Sequence, residues 1–158
     1  MKKFEFTGET KTISLFFRTA TLHRIRAVAE FGLVKIGDLG GWIEKEENLS
    51  HEGKAWVCGD AEIWGNAKVC GDAKVFSASH VLVIGAIGSR DDFTTFFRDK
   101  DNEITVKCGC FIGKIDKFLE KVTQTHGDSK YALVYRAAVE VARLQIDLSG
   151  EAPKDADE

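Results

Sequence analysis

A run of 21 residues, Ala55 to Val75, constrains this chain more than any other stretch. It reads Ala-Trp-Val-Cys-Gly-Asp, Ala-Glu-Ile-Trp-Gly-Asn, Ala-Lys-Val-Cys-Gly-Asp, Ala-Lys-Val. A branched aliphatic recurs every six residues, at Val57, Ile63, Val69 and Val75, and an alanine stands two places before each, at Ala55, Ala61, Ala67 and Ala73. Side chains on a strand alternate with period two, so a six-residue repeat returns every aliphatic to one face. Alanine suits a tight interior corner. The Gly-Asp or Gly-Asn pair suits a bend, because glycine takes positive φ without a Cβ clash and Asn and Asp tolerate it better than most residues. Each hexapeptide reads as a very short strand plus a bend. Three bends close a triangular coil, and stacked coils bury what one unit cannot bury alone.

The tandem Ala-x-Val-x-Gly-Asp motif resembles the hexapeptide-repeat, left-handed parallel β-helix superfamily. The left hand is implied by that resemblance, since parallel crossovers are otherwise right-handed. The alternative reading of the same residues is an antiparallel meander of short strands. The expected fold is mainly β: a short left-handed parallel β-helix with a small α+β (ββαα) C-terminal cap. The divisions are a strand-rich lead over 1–41, coils over 42–90, the cap over 91–148 and a disordered acidic tail over 149–158.

Around the repeats the pattern is looser. Phe4 and Phe6, then Ile13, Leu15 and Phe17, flank Thr7-Gly8-Glu9-Thr10 as a hairpin. The run Arg24-Ile25-Arg26-Ala27 followed by Gly37-Asp38-Leu39-Gly40-Gly41-Trp42-Ile43 resembles the lead-in of short hexapeptide proteins of bacteria and their phages. After Gly88, Phe93–Phe97 and Ile104–Cys108 read as strands about an Asp99–Asn102 turn. A helix follows with Ile115, Phe118, Leu119 and Val122 on one face, and His126-Gly127 ends it. Asp128 or Ser129 caps a second helix carrying Tyr131, Val134, Tyr135, Ala138, Val141 and Ala142.

Residues eighteen apart would stack in neighbouring coils, with Val57 over Val75, Ile63 over Val81 and Val69 over Ile87 pointing inward. Trp56, Cys58, Trp64, Phe76 and Leu82 then point outward, and apolar surface of that kind marks a contact. Either the chain's own ends cover it, or a second copy does. The resemblance implies a homotrimer or a multiple of one, and cyclic homo-oligomers are the usual way to bury a repeated patch.

The net charge of −3 gives no attraction to nucleic acid or anionic lipid, and no apolar run is long enough to span a bilayer. The amino-terminal Met-Lys-Lys-Phe-Glu-Phe lacks the apolar stretch of a signal peptide, and the four cysteines have no paired Cys-x-x-Cys spacing. The expectation is a cytoplasmic protein with reduced thiols, resident in the bacterial host if phage-encoded, with no nucleic-acid or membrane partner.

No catalytic set stands out. His80 and Glu62 would stack as an outward pair, and hexapeptide-family acyltransferases use a histidine near subunit contacts, so these two are the residues to test for acyl transfer. The competing reading is a solvated charge pair. Cys108-Gly109-Cys110 lacks further ligands at zinc spacing, so no metal or other cofactor is expected. The bend from Gly109 through Phe111 to Gly113 precedes a helix, where free N–H groups can hold an anion such as phosphate. Arg24, Arg26 and Arg98 are candidate counter-charges, Trp42, Trp56, Tyr131 and Tyr135 candidate stacking partners, and His126 a further candidate ligand residue. The expected function is non-enzymatic, homo-oligomeric binding of a small molecule, in particular a nucleotide. The phage resemblance implies a specific form, sequestering a nucleotide signal of antiviral defence. An acyltransferase and a structural adaptor are the alternatives.

Overall fold

The computed structural model describes residues 1–149 apart from Phe17, so the Phe17 end of the forecast hairpin and the 150–158 part of the forecast tail lie outside the described residues. Among the described residues, ten strands and two α-helices follow in order. They are β1 (Phe4–Ser14), β2 (Thr19–Ala27), β3 (Leu39–Ile43), β4 (Trp56–Val57), β5 (Glu62–Ile63), β6 (Lys74–Val75), β7 (Val81–Ile87), β8 (Asp92–Arg98), β9 (Ile104–Cys108), β10 (Phe111–Lys114), α1 (Ile115–His126) and α2 (Lys130–Gln145).

The fold is not the parallel β-helix expected from the repeats. It consists of separate sheets: a mixed four-stranded sheet in the order β1-β2-β3-β5, an antiparallel four-stranded sheet in the order β10-β9-β8-β7, and the two-stranded pair β4-β6. Parallel pairing among the described residues is confined to short contacts. Trp42 and Ile43 meet Glu62 and Ile63, Trp56 and Val57 meet Lys74 and Val75, and one bridge joins Leu49 to Val69. Ile63 and Val69 therefore pair with residues before them in the chain, not with Val81 and Ile87.

The physical reason lies just beyond Val75. The Gly-Asp bend is replaced by Phe76-Ser77-Ala78-Ser79-His80, which makes a 3₁₀ turn over Ala78–His80. An uninterrupted seven-residue strand follows, and β7 folds back on β8 with Val81 opposite Phe97 and Ile84 opposite Thr94. A long antiparallel ladder satisfies more backbone groups than a two-residue strand can, and the regular repeat stops there.

Local features of the repeat are nonetheless clear. Val57, Ile63, Val69 and Val75 are buried, as are Ala55, Ala61, Ala67 and Ala73. Gly59, Gly65 and Gly71 sit at φ of 55°, 64° and 64°, the left-handed bends that favour glycine. Asn48 is fully buried inside this unit: its Nδ2 donates to the Gly65 and Ala67 carbonyls at 3.1 and 2.9 Å, and its Oδ1 accepts from Lys45 N–H at 2.9 Å.

The β7–β10 sheet separates two cores. Phe97, with half-buried Val81 and Val83, packs on the repeat core of Phe4, Ile25, Ile43, Leu49 and the repeat aliphatics. Phe96, with half-buried Leu82 and Ile84, faces Val106, Phe118, Val122, Tyr135 and Val139 on the helical side. Neighbouring residues of one strand thus serve opposite cores, as period two requires. Helix α1 ends at Gly127, whose N–H bonds the Thr123 carbonyl, and Ser129 is the N-cap of α2. Helix α2 buries Ala132, Tyr135, Ala138, Val139 and Ala142, while Tyr131 and Val141 are exposed. No helix among the described residues is long and apolar enough to cross a membrane.

Candidate functional site

The forecast ligand residues fall into three places. Arg24, Arg26 and Trp42 belong to the first sheet. Arg24 lies over the Trp42 ring, 5.3 Å from its centroid, and 4.0 Å from Asp60, and Arg26 pairs with Glu5 at 2.6 Å. The Trp42 indole N–H and Arg24 Nε are buried without a hydrogen-bond partner, and Lys11 covers the other contact with the Trp42 ring.

Arg98 is buried on β8. Its Nε donates to Asn102 Oδ1 at 2.7 Å, and its Nη1 lies 3.3 Å from His80 Nε2. His80 is itself buried, and its Nδ1 accepts the Phe76 N–H at 3.0 Å. That bond leaves the ring proton on Nε2 in the neutral form. Burial, then the Arg98 charge, holds the His80 pKa below its ordinary 6.5. Glu62 lies elsewhere, paired with Lys11 at 2.9 Å. The structure therefore joins His80 to Arg98 and Glu62 to Lys11.

The third place brings Gly109, Phe111, His126 and Tyr135 together. They line one open pocket of about 220 Å³ between the β7–β8 turn, the β9–β10 turn and the helices. Cys108 pairs with Phe111 across the two-residue β9–β10 turn. Gly113 lies on β10 behind Phe111, where an added Cβ would press on the Phe111 ring at 3.0 Å. The walls are aromatic. Phe118 meets Tyr135 edge-on with centroids 5.6 Å apart, Phe111 tilts against Phe118 at 5.6 Å, and His126 stacks on Tyr135 at 5.8 Å and 27°. Tyr131 sits outside this lining but touches His126, 5.6 Å between centroids.

Tyr135 is pinned from several directions. Gly88, at φ 80°, lies directly under its hydroxyl, and any Cβ there would collide with that oxygen. The Thr94 hydroxyl donates to Cys108 Sγ at 3.5 Å, and the Cys108 thiol donates to the Tyr135 oxygen at 3.9 Å. Burial, reinforced by the neighbouring Cys108, pushes the Tyr135 phenol up to about 12, so it keeps its proton at neutral pH.

Charge enters at the rim through exposed Arg90 and Lys121, with Asp92 as the opposing carboxylate. Neither Arg90 nor Lys121 stood out in the sequence. Arg90 lies in a four-residue turn and Lys121 on the exposed side of α1, both places where a lone cation reads as solvated surface. The signal that could have found Lys121 is its spacing. It stands three residues after Phe118 and five before His126, on the α1 edge next to the buried stripe.

Apolar exposure also differs from expectation. Trp56 is buried under Phe31, which meets it edge-on at 5.3 Å, so the chain's own lead covers that face. Trp64 and Phe76 stay exposed, and the largest exposure on a helix is on α2, at Leu133 and Leu144. Comparison with protein-family models and with curated proteins finds no match for this chain.

Proposed function

We propose that this protein binds a small phosphate-bearing molecule, a nucleotide, without transforming it. One observation carries the reading: four residues forecast from the sequence as ligand contacts, Gly109, Phe111, His126 and Tyr135, converge on a single aromatic pocket with two cations at its mouth. Aromatic faces stack on a planar ring, and arginine and lysine at the rim attract an anion. An apolar pocket with few polar groups is the usual form of a small-molecule site. The use we assign to such binding is sequestration of a nucleotide signal, the role that the lead-in resemblance implies.

Acyl transfer gains nothing from the geometry of His80, whose ring is buried with Nδ1 engaged by the Phe76 amide and Nε2 facing a guanidinium. Self-association belongs to the same proposal, supported by exposed Leu133, Val141 and Leu144 on α2. Titration calorimetry against mononucleotides, cyclic oligonucleotides and ADP-ribose derivatives tests the binding. Heat from at least one nucleotide class is expected, and no heat from any of them overturns the proposal.

A further inference from the structure

Helix α2 is apolar on two opposite sides. Its residues follow one another at about 100° around the axis. Ala132, Tyr135, Ala138, Val139 and Ala142 make the side that packs into the sheet–helix core. Half a turn away, Leu133, Ala137 and Leu144 line up, with Val141 at their edge, and all four are exposed. Leu144 is 89% exposed and Leu133 60%. A surface helix ordinarily turns polar residues to water on the side away from the core. An apolar stripe in that place marks a contact surface.

The flanks of the stripe say what fits it. One flank carries Arg136 and Glu140, and the other carries half-buried Val134 and exposed Val141. If a second α2 lies antiparallel on the first, Leu133 comes opposite Leu144, and small Ala137 lets the two backbones approach. Each flank then meets its own equivalent. Glu140 comes beside the second copy's Arg136, and Val141 beside its Val134, so charge meets opposite charge and apolar meets apolar. Parallel packing would set the charged flank against the valines. Residues 150–158 of the same chain, Gly-Glu-Ala-Pro-Lys-Asp-Ala-Asp-Glu, offer no large apolar side chain to cover two leucines.

We infer that the stripe is covered by a second copy of this chain, the two α2 helices packing antiparallel about a two-fold axis midway between Leu133 and Leu144. This rests on the self-association in the reading above and sharpens it to a surface and a symmetry. A two-fold contact uses the same patch on both copies, so the assembly closes at a dimer. From Leu133 to Leu144 the stripe runs about 17 Å. That is short for a specific interface, and the dimer is a micromolar, reversible one.

The experiment is sedimentation equilibrium on the full chain and on the variants Leu144→Glu and Glu140→Arg across the micromolar range. Both positions are exposed, so the variants keep the monomer fold. The unaltered chain is expected to dimerise reversibly. Leu144→Glu buries a carboxylate at the contact and is expected to leave a monomer where the unaltered chain is half dimer. Glu140→Arg sets two arginines against each other at both ends of the contact and is expected to weaken the dimer about 10-fold. It also moves the net charge of −3 two charges towards zero, so general repulsion between copies would give the opposite result. A trimer, or a dimer untouched by Leu144→Glu, overturns the α2 contact while self-association stands. A dimer lost in Leu144→Glu but undiminished in Glu140→Arg overturns the antiparallel arrangement. A monomer throughout leaves the stripe to residues 150–158 or to a different protein, and the inference and the self-association beneath it fall together.

Discussion

The two cores of this protein are built on opposite principles. The repeat core is assembled from two-residue strands and left-handed glycine bends around buried aliphatics. The buried amide of Asn48 is engaged there on three backbone partners. The sheet–helix core is assembled from longer strands and two helices, and it opens at one end onto aromatic rings with rim cations. An aromatic opening with charge at its rim can take a ligand, which a packed aliphatic interior cannot. The regular half of the chain holds the fold together, and the irregular half carries the site.

The contrast can be broken most severely at Asn48. Asn48→Ala strands two carbonyls and one amide in the repeat core, and we expect a loss of about 4 kcal/mol in urea unfolding. Nucleotide affinity of the folded fraction should not change. Next is Gly88→Ala, which collides with the Tyr135 hydroxyl at a positive φ. About 3 kcal/mol of destabilisation is expected from overpacking and backbone strain together, and here ligand affinity falls too because the pocket wall moves. Val69→Ala removes two methyl groups from the repeat core at a cost of about 2 kcal/mol, again with no effect on binding.

The smallest effect is a pH dependence at the boundary between the cores. Native His80 binds a proton more weakly than the unfolded chain does, through burial and then Arg98. Below the unfolded value of 6.5 the unfolded state therefore takes up more protons, and stability falls as pH drops towards the lowered native value. The urea midpoint should be lower at pH 5.5 than at pH 7.5, and His80→Gln should flatten that difference.

How much of this was legible follows from what is local. The burial of Val57, Ile63, Val69 and Val75 and the bends at Gly59, Gly65 and Gly71 are written in residue chemistry within six positions. The sheet order is not, because it depends on whether Val81–Ile87 pairs forward or backward, a competition between distant segments. A six-residue period is compatible with stacked coils and with short strands joining separate sheets, and the strand after Val75 decided between them. Gly109, Phe111, His126 and Tyr135 could be picked out from a glycine bend before a helix and from aromatics at helical spacing. Arg24, Arg26 and Trp42 have the same residue chemistry but stand on the other sheet, engaged with Asp60, Glu5 and one another. Pairing of cation and ring in sequence carries no information about which sheet they join.

The most direct measurement is an amide chemical-shift titration of the ¹⁵N-labelled protein with mononucleotides. The division of labour between the cores requires shifts concentrated at Ser89–Asp92, Cys108–Phe111 and Lys121–His126, with the bends at Gly59, Gly65 and Gly71 silent. Shifts centred on those glycine bends, or on Arg24 and Trp42 in the first sheet, would contradict it.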